Sequence, residues 1–214
     1  MDRYLLYFAD PMCSWCWGFA PVTEKIQKTF GDKLPIRLFM GGLRPGNTQP
    51  WNDSAKAKTR EHWEHVHERS GQPFDFSFFE REGWVYDTDP AARAVVTARR
   101  LDESRAMDFL RAVHKAFYTE ARDVTDTDEL VKVAEEFGFD GATFRETFEA
   151  PETQQETQAD YWYSQQAGIR GFPALLAVAD QKAAAVTFGY QPWEAIGPAL
   201  EGWMNGPEAE APAT

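Results

Sequence analysis

Tyr4-Leu5-Leu6-Tyr7-Phe8-Ala9 runs straight into Asp10-Pro11-Met12-Cys13-Ser14-Trp15-Cys16-Trp17-Gly18-Phe19, and the reading of this stretch decides the fold. Six unbroken apolar residues have strand length, as expected for a strand buried on both faces. Asp10 and Pro11 stop it. A helical pattern then runs from near Cys13 to Phe30, where Gly31 supplies a stop signal. Pro21 lies inside that pattern and is expected to kink it. Leu34-Pro35-Ile36-Arg37-Leu38-Phe39-Met40 reads as a second strand, which completes a βαβ unit with parallel strands.

Outward from this unit the period changes. Gly41-Gly42-Leu43-Arg44-Pro45-Gly46 breaks the pattern, and from Trp51 to Ala167 the signals are helical. Asp89 before Pro90 reads as a cap followed by a first-turn proline. Met107, Leu110, Val113 and Phe117 recur at helical spacing, as do Leu130, Val133, Ala134 and Phe137. Thr125 or Asp126 can cap the second of these stretches, Gly138 can end it, and Gly168 can end the last helix. Strands then return: Ala174 to Ala179 and Ala183 to Phe188, with Asp180-Gln181-Lys182 as the turn between them. A last helix is expected over Pro192 to Met204. The expected organisation is α/β: residues 1–48 and 168–204 form one sheet-bearing core, residues 49–167 are an all-helical insertion, and 205–214 are a flexible tail.

Composition narrows the function. The 214 residues are 43% hydrophobic and 14% aromatic, enough for a packed core. A net charge of -12 repels phosphate backbones and anionic lipid, so neither nucleic acid nor membrane is an expected partner. Asp2 and Arg3 precede too short an apolar run for a secretory signal, which points to the cytoplasm.

The two cysteines are three positions apart, so a bridge between them closes too small a loop to staple a fold. Their context points to redox chemistry instead. A helix N-terminus offers unsatisfied N–H groups and positive dipole, which acidify a thiol placed there. Cys13 is the expected nucleophile. Cys16, one turn on and more shielded, is placed to resolve a mixed disulfide. Two rival readings stand beside this one. Zinc could draw on the cysteines with His62, His65 and His67, although those histidines also read as a polar helix face beside Trp63 and Val66. Inert core cysteines are the other rival, opposed by the polar and turn residues around the pair. Asp10 reads either as a turn residue before Pro11 or as a carboxylate that takes a proton from Cys16 or raises a nearby thiol.

Gly171-Phe172-Pro173 precedes the strand at Ala174. A cis prolyl bond there would expose the Phe172 backbone for pairing with an extended peptide; an ordinary trans proline opening a strand fits the spacing equally.

Taken together, these residues resemble the DsbA family of the thioredoxin superfamily across essentially the whole chain. The carriers are Cys13-Ser14-Trp15-Cys16 after the first strand, Pro21, the helical insertion, and Arg170-Gly171-Phe172-Pro173 before the third strand. The stretch from Asp10 to Phe19 and the Gly41-Gly42-Leu43-Arg44-Pro45 loop are similar to a cytoplasmic, FrnE-like branch of protein-disulfide isomerases. The resemblance implies a thioredoxin-like core and thiol–disulfide exchange on thiol or disulfide substrates. It also implies a cis Pro173 beside Cys13. On the exchange reading no metal or bound organic cofactor is needed, and glutathione or another dithiol supplies the electrons. Two departures stand out. Ser14 and Trp15 occupy the places where periplasmic oxidants carry a histidine, and Tyr7 occupies the strand position where thioredoxins carry a buried acid. Trp15, Trp17, Phe172 and Pro173 are the expected docking surface, and Arg44 could hold an anionic group. A neighbouring branch, glutathione-dependent isomerases and transferases, shares the fold and usually lacks the second cysteine. A non-catalytic binding module is the third reading.

Overall fold

The computed structural model describes residues 3 to 206. Strand β1 (Tyr4–Ala9) leads through a tight turn into helix α1 (Ser14–Phe30), and β2 (Ile36–Met40) comes after a short 3-10 turn. The insertion contains α2 (Asp53–Ser70), a 3-10 turn at Phe76–Glu80, α3 (Asp89–Leu101), α4 (Ala106–Thr119), α5 (Thr127–Phe137), α6 (Gly141–Glu149) and α7 (Pro151–Gln166). The chain then returns to the sheet as β3 (Ala174–Ala179) and β4 (Lys182–Phe188) and ends in α8 (Trp193–Asn205). Of the tail expected to be flexible, residues 207–214 lie outside the described residues.

The sheet has the order β2-β1-β3-β4. β1 runs parallel to β2 and antiparallel to β3, and β3 runs antiparallel to β4. The two inner strands are the two continuous apolar runs, because side chains on both of their faces are covered. Leu5, Tyr7 and Ala9 point into the main core with Phe19, Val22 and Ile26 of α1. Leu6 and Phe8 point the other way into a smaller core with Leu176, Val178 and Ile169. Among the described residues no helix is long and apolar enough to cross a membrane.

The outer edge of β2 is closed by side chains. Arg99 of α3 donates to the Leu38 carbonyl at 2.8 Å, and Asp160 of α7 accepts from the Met40 N–H at 2.9 Å. Arg99 and Asp160 also pair with each other at 2.9 Å, and Glu156 joins them at 2.8 Å. This gives unpaired strand groups the partners a further strand would have supplied, and so blunts the edge.

Several boundaries differ from the sequence reading, each for a local reason. Helix α1 begins at Ser14, with Cys13 as its extended N-cap. The helix runs unbroken through Pro21. Proline has no N–H for the Trp17 carbonyl, and Gln72 of the insertion donates to that oxygen at 3.1 Å instead. Thr88, not Asp89, holds the N-cap position of α3, without a side-chain cap hydrogen bond, and Asp89 sits in the first turn, paired with Arg93. The β3–β4 turn is two residues, Asp180 and Gln181, both at positive φ, as a type I′ turn requires. Lys182 therefore belongs to β4 and faces Ala179. Asp126 caps α5 by accepting from the Glu129 N–H, and Asp140 caps α6 in the same way with Thr143.

Asp160→Ala tests the edge closure. It leaves a mostly buried Arg99 without its inner partner and should cost about 3 kcal/mol of unfolding free energy in urea titrations. A change no larger than that of an exposed ion pair, below about 1 kcal/mol, would show that the pair does not hold the β2 edge.

Candidate active site

The site forms where β1 ends and β3 begins. Asp10 turns the chain out of β1. Its carboxylate accepts from the Met12 N–H at 2.9 Å, while its carbonyl accepts from the Cys13 N–H at 3.0 Å. The Cys13 carbonyl then takes the first helical N–H groups, from Cys16 at 3.0 Å and Trp17 at 3.1 Å. Cys13 thus sits at the mouth of α1 and Cys16 one turn inside it.

Both thiols are free. Cys13 is 6% exposed and Cys16 is 0% exposed, so the pair is more enclosed than the polar residues flanking it suggested. The Cys13 thiol reaches the Phe172 carbonyl at 3.5 Å. The Phe172–Pro173 bond is cis. Burial pushes the Cys16 thiol well above its ordinary range, and the hydrogen bond and charge of Cys13 add to that push. The two sulfurs are therefore unequal: one at the rim, the other sealed and holding its proton.

Beneath them lies a buried polar cluster. Tyr7 hydrogen-bonds Cys16 and is itself pushed far up by burial. Asp10 is fully buried; besides Met12 it accepts from the Leu43 N–H at 2.8 Å and is bonded by the Thr88 hydroxyl. Burial nevertheless raises the Asp10 carboxyl to about 6. The Tyr86 hydroxyl donates to the Met12 carbonyl. His114 meets the Asp10 carbonyl with Nε2 at 3.3 Å, and burial holds its pKa down to about 3, which keeps the ring neutral. Asp10 builds the turn, and its charge also adds to the upward push on the Cys16 thiol.

The tryptophans flanking Cys16 part company. Two residues along a helix are about 200° apart, so Trp15 and Trp17 cannot share a face. Trp15 is half-buried, with its ring 5.5 Å from His65 and 5.6 Å from Tyr190. Trp17 turns inward: it is 9% exposed, donates to the Pro73 carbonyl at 3.0 Å and stacks on Tyr118. Trp17 is a core residue, and the expectation that it belongs to the docking surface is corrected. Phe172 is half-buried at the rim, and Ser14 is the first, half-buried residue of α1. Arg44 is exposed, with its guanidinium 4.9 Å from the Tyr86 ring centroid.

The histidines do not assemble a metal site. His67 bonds the Gln72 carbonyl at 2.7 Å, His65 packs on Trp15, and among the described residues no group of three His, Cys, Asp or Glu side chains is arranged to hold a metal.

Residues 5–201 match the family described as the DSBA-like thioredoxin domain. The chain belongs to that family. A protein from Nitrosomonas europaea assigned as a protein disulfide isomerase is 37% identical and superposes with a TM-score of 0.89, over 95% of this chain and 98% of that one. The cytosolic disulfide reductase DsbM from Pseudomonas aeruginosa is 25% identical with a TM-score of 0.77, over 92% of this chain and 97% of DsbM. DsbM has also been solved with GSH. The ClpXP adapter protein SpxH of Bacillus subtilis is 24% identical over 170 residues, which is 78% of this chain and 56% of SpxH. The chain thus spans little more than half the length of that curated relative.

Much of this DSBA-like site comes from residues the sequence did not flag. Tyr86 and His114 lie 74 and 104 residues from the backbone groups they bond. Nothing in their local pattern separates them from ordinary core positions. The glycine loop did carry a signal, and its reason is now visible. A Cβ on Gly41 would fall 2.1 Å from the Phe172 ring, and one on Gly42 would fall 2.8 Å from the Tyr161 ring. The loop is glycine-rich because the proline loop and α7 press onto its backbone.

Gly41→Ala should therefore displace Phe172 from the rim. We expect a loss of about 1–3 kcal/mol in stability, read by thermal unfolding, together with slower alkylation of Cys13. Native stability and native alkylation in this variant would contradict the packing described.

Proposed function

We propose that this DSBA-like protein is a cytoplasmic thiol–disulfide oxidoreductase that works through Cys13 and Cys16. The observation that carries the reading is the inequality of the two sulfurs: Cys13 caps the helix beside the Phe172 carbonyl, and Cys16 is sealed behind it with its proton held by burial. Exchange needs that order of events. The Cys13 thiolate attacks a substrate disulfide, expels one substrate thiolate and forms a mixed disulfide. Cys16 then loses its proton and attacks the Cys13 sulfur. The second substrate thiolate leaves, and the Cys13–Cys16 disulfide forms. Two electrons have passed to the substrate, and two glutathione thiols return the pair to the dithiol as they become glutathione disulfide.

Phe172 and Pro173 align the substrate, with an extended segment pairing along the Phe172 backbone. Trp15 supplies an apolar wall, and the exposed Arg44 over the Tyr86 ring offers a cation for an anionic group. Glutathione as electron source and the cytoplasmic setting draw support from DsbM, a cytosolic reductase also solved with GSH. The adapter role in the name of SpxH belongs to a longer protein.

Three measurements test the proposal together. Cys13→Ser should reduce insulin disulfides no faster than glutathione alone, and Cys16→Ser should accumulate mixed disulfides. Tryptophan fluorescence tracked across glutathione buffers should report one reversible two-electron couple, since Trp15 and Trp17 flank Cys16. Turnover that survives Cys16→Ser with glutathione bound stoichiometrically would favour the glutathione-dependent isomerase or transferase. A chain with no reversible couple would be a binding module.

A further inference from the structure

The proline loop has a second side. Cys13 packs with α1 on the sheet face of Leu5, Tyr7 and Ala9, and its thiol meets the Phe172 carbonyl. A cavity of about 400 Å³ adjoins the same Phe172. Gly168, Arg170, Gly171 and Phe172 form one wall, on the segment that enters β3, and Phe188 and Gly189 form the other, where β4 ends. The Gly189 N–H donates to the Pro173 carbonyl at 2.7 Å and ties the walls together. Phe188 stands opposite Ala174 in the antiparallel register, so their side chains share a face. That face is the one of Leu6 and Phe8, turned away from α1.

Two side chains of this cavity do little for the fold. Phe188 is 64% exposed, so its ring adds little by burial. Arg170 is exposed and enters no ion pair among the described residues. Charge marks the same place. The chain carries 34 Asp and Glu residues and a net charge of -12, yet no acid falls between Asp160 and Asp180 or between Asp180 and Glu194. Those two stretches supply every wall residue of the cavity, and their charged residues are Arg170 and Lys182. A cationic, apolar mouth on an acidic protein selects anions that the rest of the surface repels.

We propose that this cavity binds an acidic polypeptide segment beside its disulfide-bonded cysteine, with a large apolar side chain against Phe188 and a carboxylate on Arg170. The proposal rests on the exchange reading above and names its class of substrate. Successive side chains of an extended segment point to opposite sides. When such a segment pairs along the Phe172 backbone with its cysteine turned to Cys13, the residue next to that cysteine is turned to the face of Phe188. Its side chain enters the cavity, and apolar area on both partners leaves water. The Arg170 guanidinium donates two parallel N–H groups to a Glu or Asp carboxylate of the segment. A basic segment in the same place would set two like charges together.

The test uses the full chain and short synthetic peptides whose single cysteine is held as a mixed disulfide with a coloured aromatic thiol. Release of that thiolate gives kcat/KM, normalised to the same peptide's reaction with glutathione alone. One peptide carries Phe next to the cysteine and Glu beyond it; its companions replace Phe by Ser or Glu by Lys. With the native chain the Phe–Glu peptide should exceed each companion by about fivefold. Ratios are taken within each variant, so a change in overall rate cancels. Arg170→Glu should invert the Glu-over-Lys ratio and keep the Phe-over-Ser ratio. Phe188→Ser should bring the Phe-over-Ser ratio to unity and keep the charge preference, which should shrink as salt is raised. Equal rates for the three peptides with the native chain, or a ratio that its own substitution leaves unmoved, would overturn the proposal. So would glutathione binding that Arg170→Glu abolishes while the peptides show no preference. Failure of the native chain to release thiolate from any peptide is a different result, and it would sink the exchange reading itself.

Discussion

The antiparallel pairing of β1 with β3 is the constraint from which the site arises. Tyr4 lies opposite Val178 and Phe8 opposite Ala174, so the end of one strand meets the start of the other. The segment leaving β1 must then stand beside the segment entering β3. The first carries Cys13, and the second carries Phe172-Pro173. The contact between the Cys13 thiol and the Phe172 carbonyl spans 159 positions in sequence, yet it is a direct result of register. A slip of one residue would turn every side chain of β3 to the opposite face and break both cores at once.

The helical insertion completes the core rather than merely covering it. Trp17 of α1 is held by Pro73, and the carbonyl orphaned by Pro21 is held by Gln72. The free edge of β2 is answered by Arg99 and Asp160. Beneath the cysteines, Tyr86 and His114 bond the backbone of the very turn that presents Cys13. The insertion therefore supplies donors and acceptors where the small sheet runs out of them. Buried backbone groups left unpaired would each cost about 1–3 kcal/mol.

Polar burial under the thiols is a trade between stability and chemistry. A carboxylate is kept in a fully buried place with three hydrogen bonds, and desolvation still outweighs them, since the Asp10 carboxyl ends near 6. A protein selected only for stability would fill that space with apolar atoms. The same low-dielectric surroundings make the sulfur of Cys16 responsive to its neighbours, because charge interactions strengthen where water is excluded.

Local pattern was enough to give the strand–helix–strand start, the Ala174–Ala179 strand, the stop at Gly138, a cap at Thr125 or Asp126, and the pairing of a helix-mouth cysteine with a shielded one. These are matters of periodicity, turn chemistry and spacing over a few residues, and such signals are written contiguously. Spacing alone fits a cis or a trans Pro173 equally, and only the family resemblance points to the cis bond that the structure has. Tertiary structure alone decided that Trp17 faces inward while Trp15 lies half-buried against His65 and Tyr190, that Gly41 must be bare to admit Phe172, that Tyr7 bonds Cys16, and that Asp10 is sealed. Each of these depends on the side chains that the returning insertion and the second half of the sheet place against the motif, and burial by a distant segment leaves no local mark in the chain it buries.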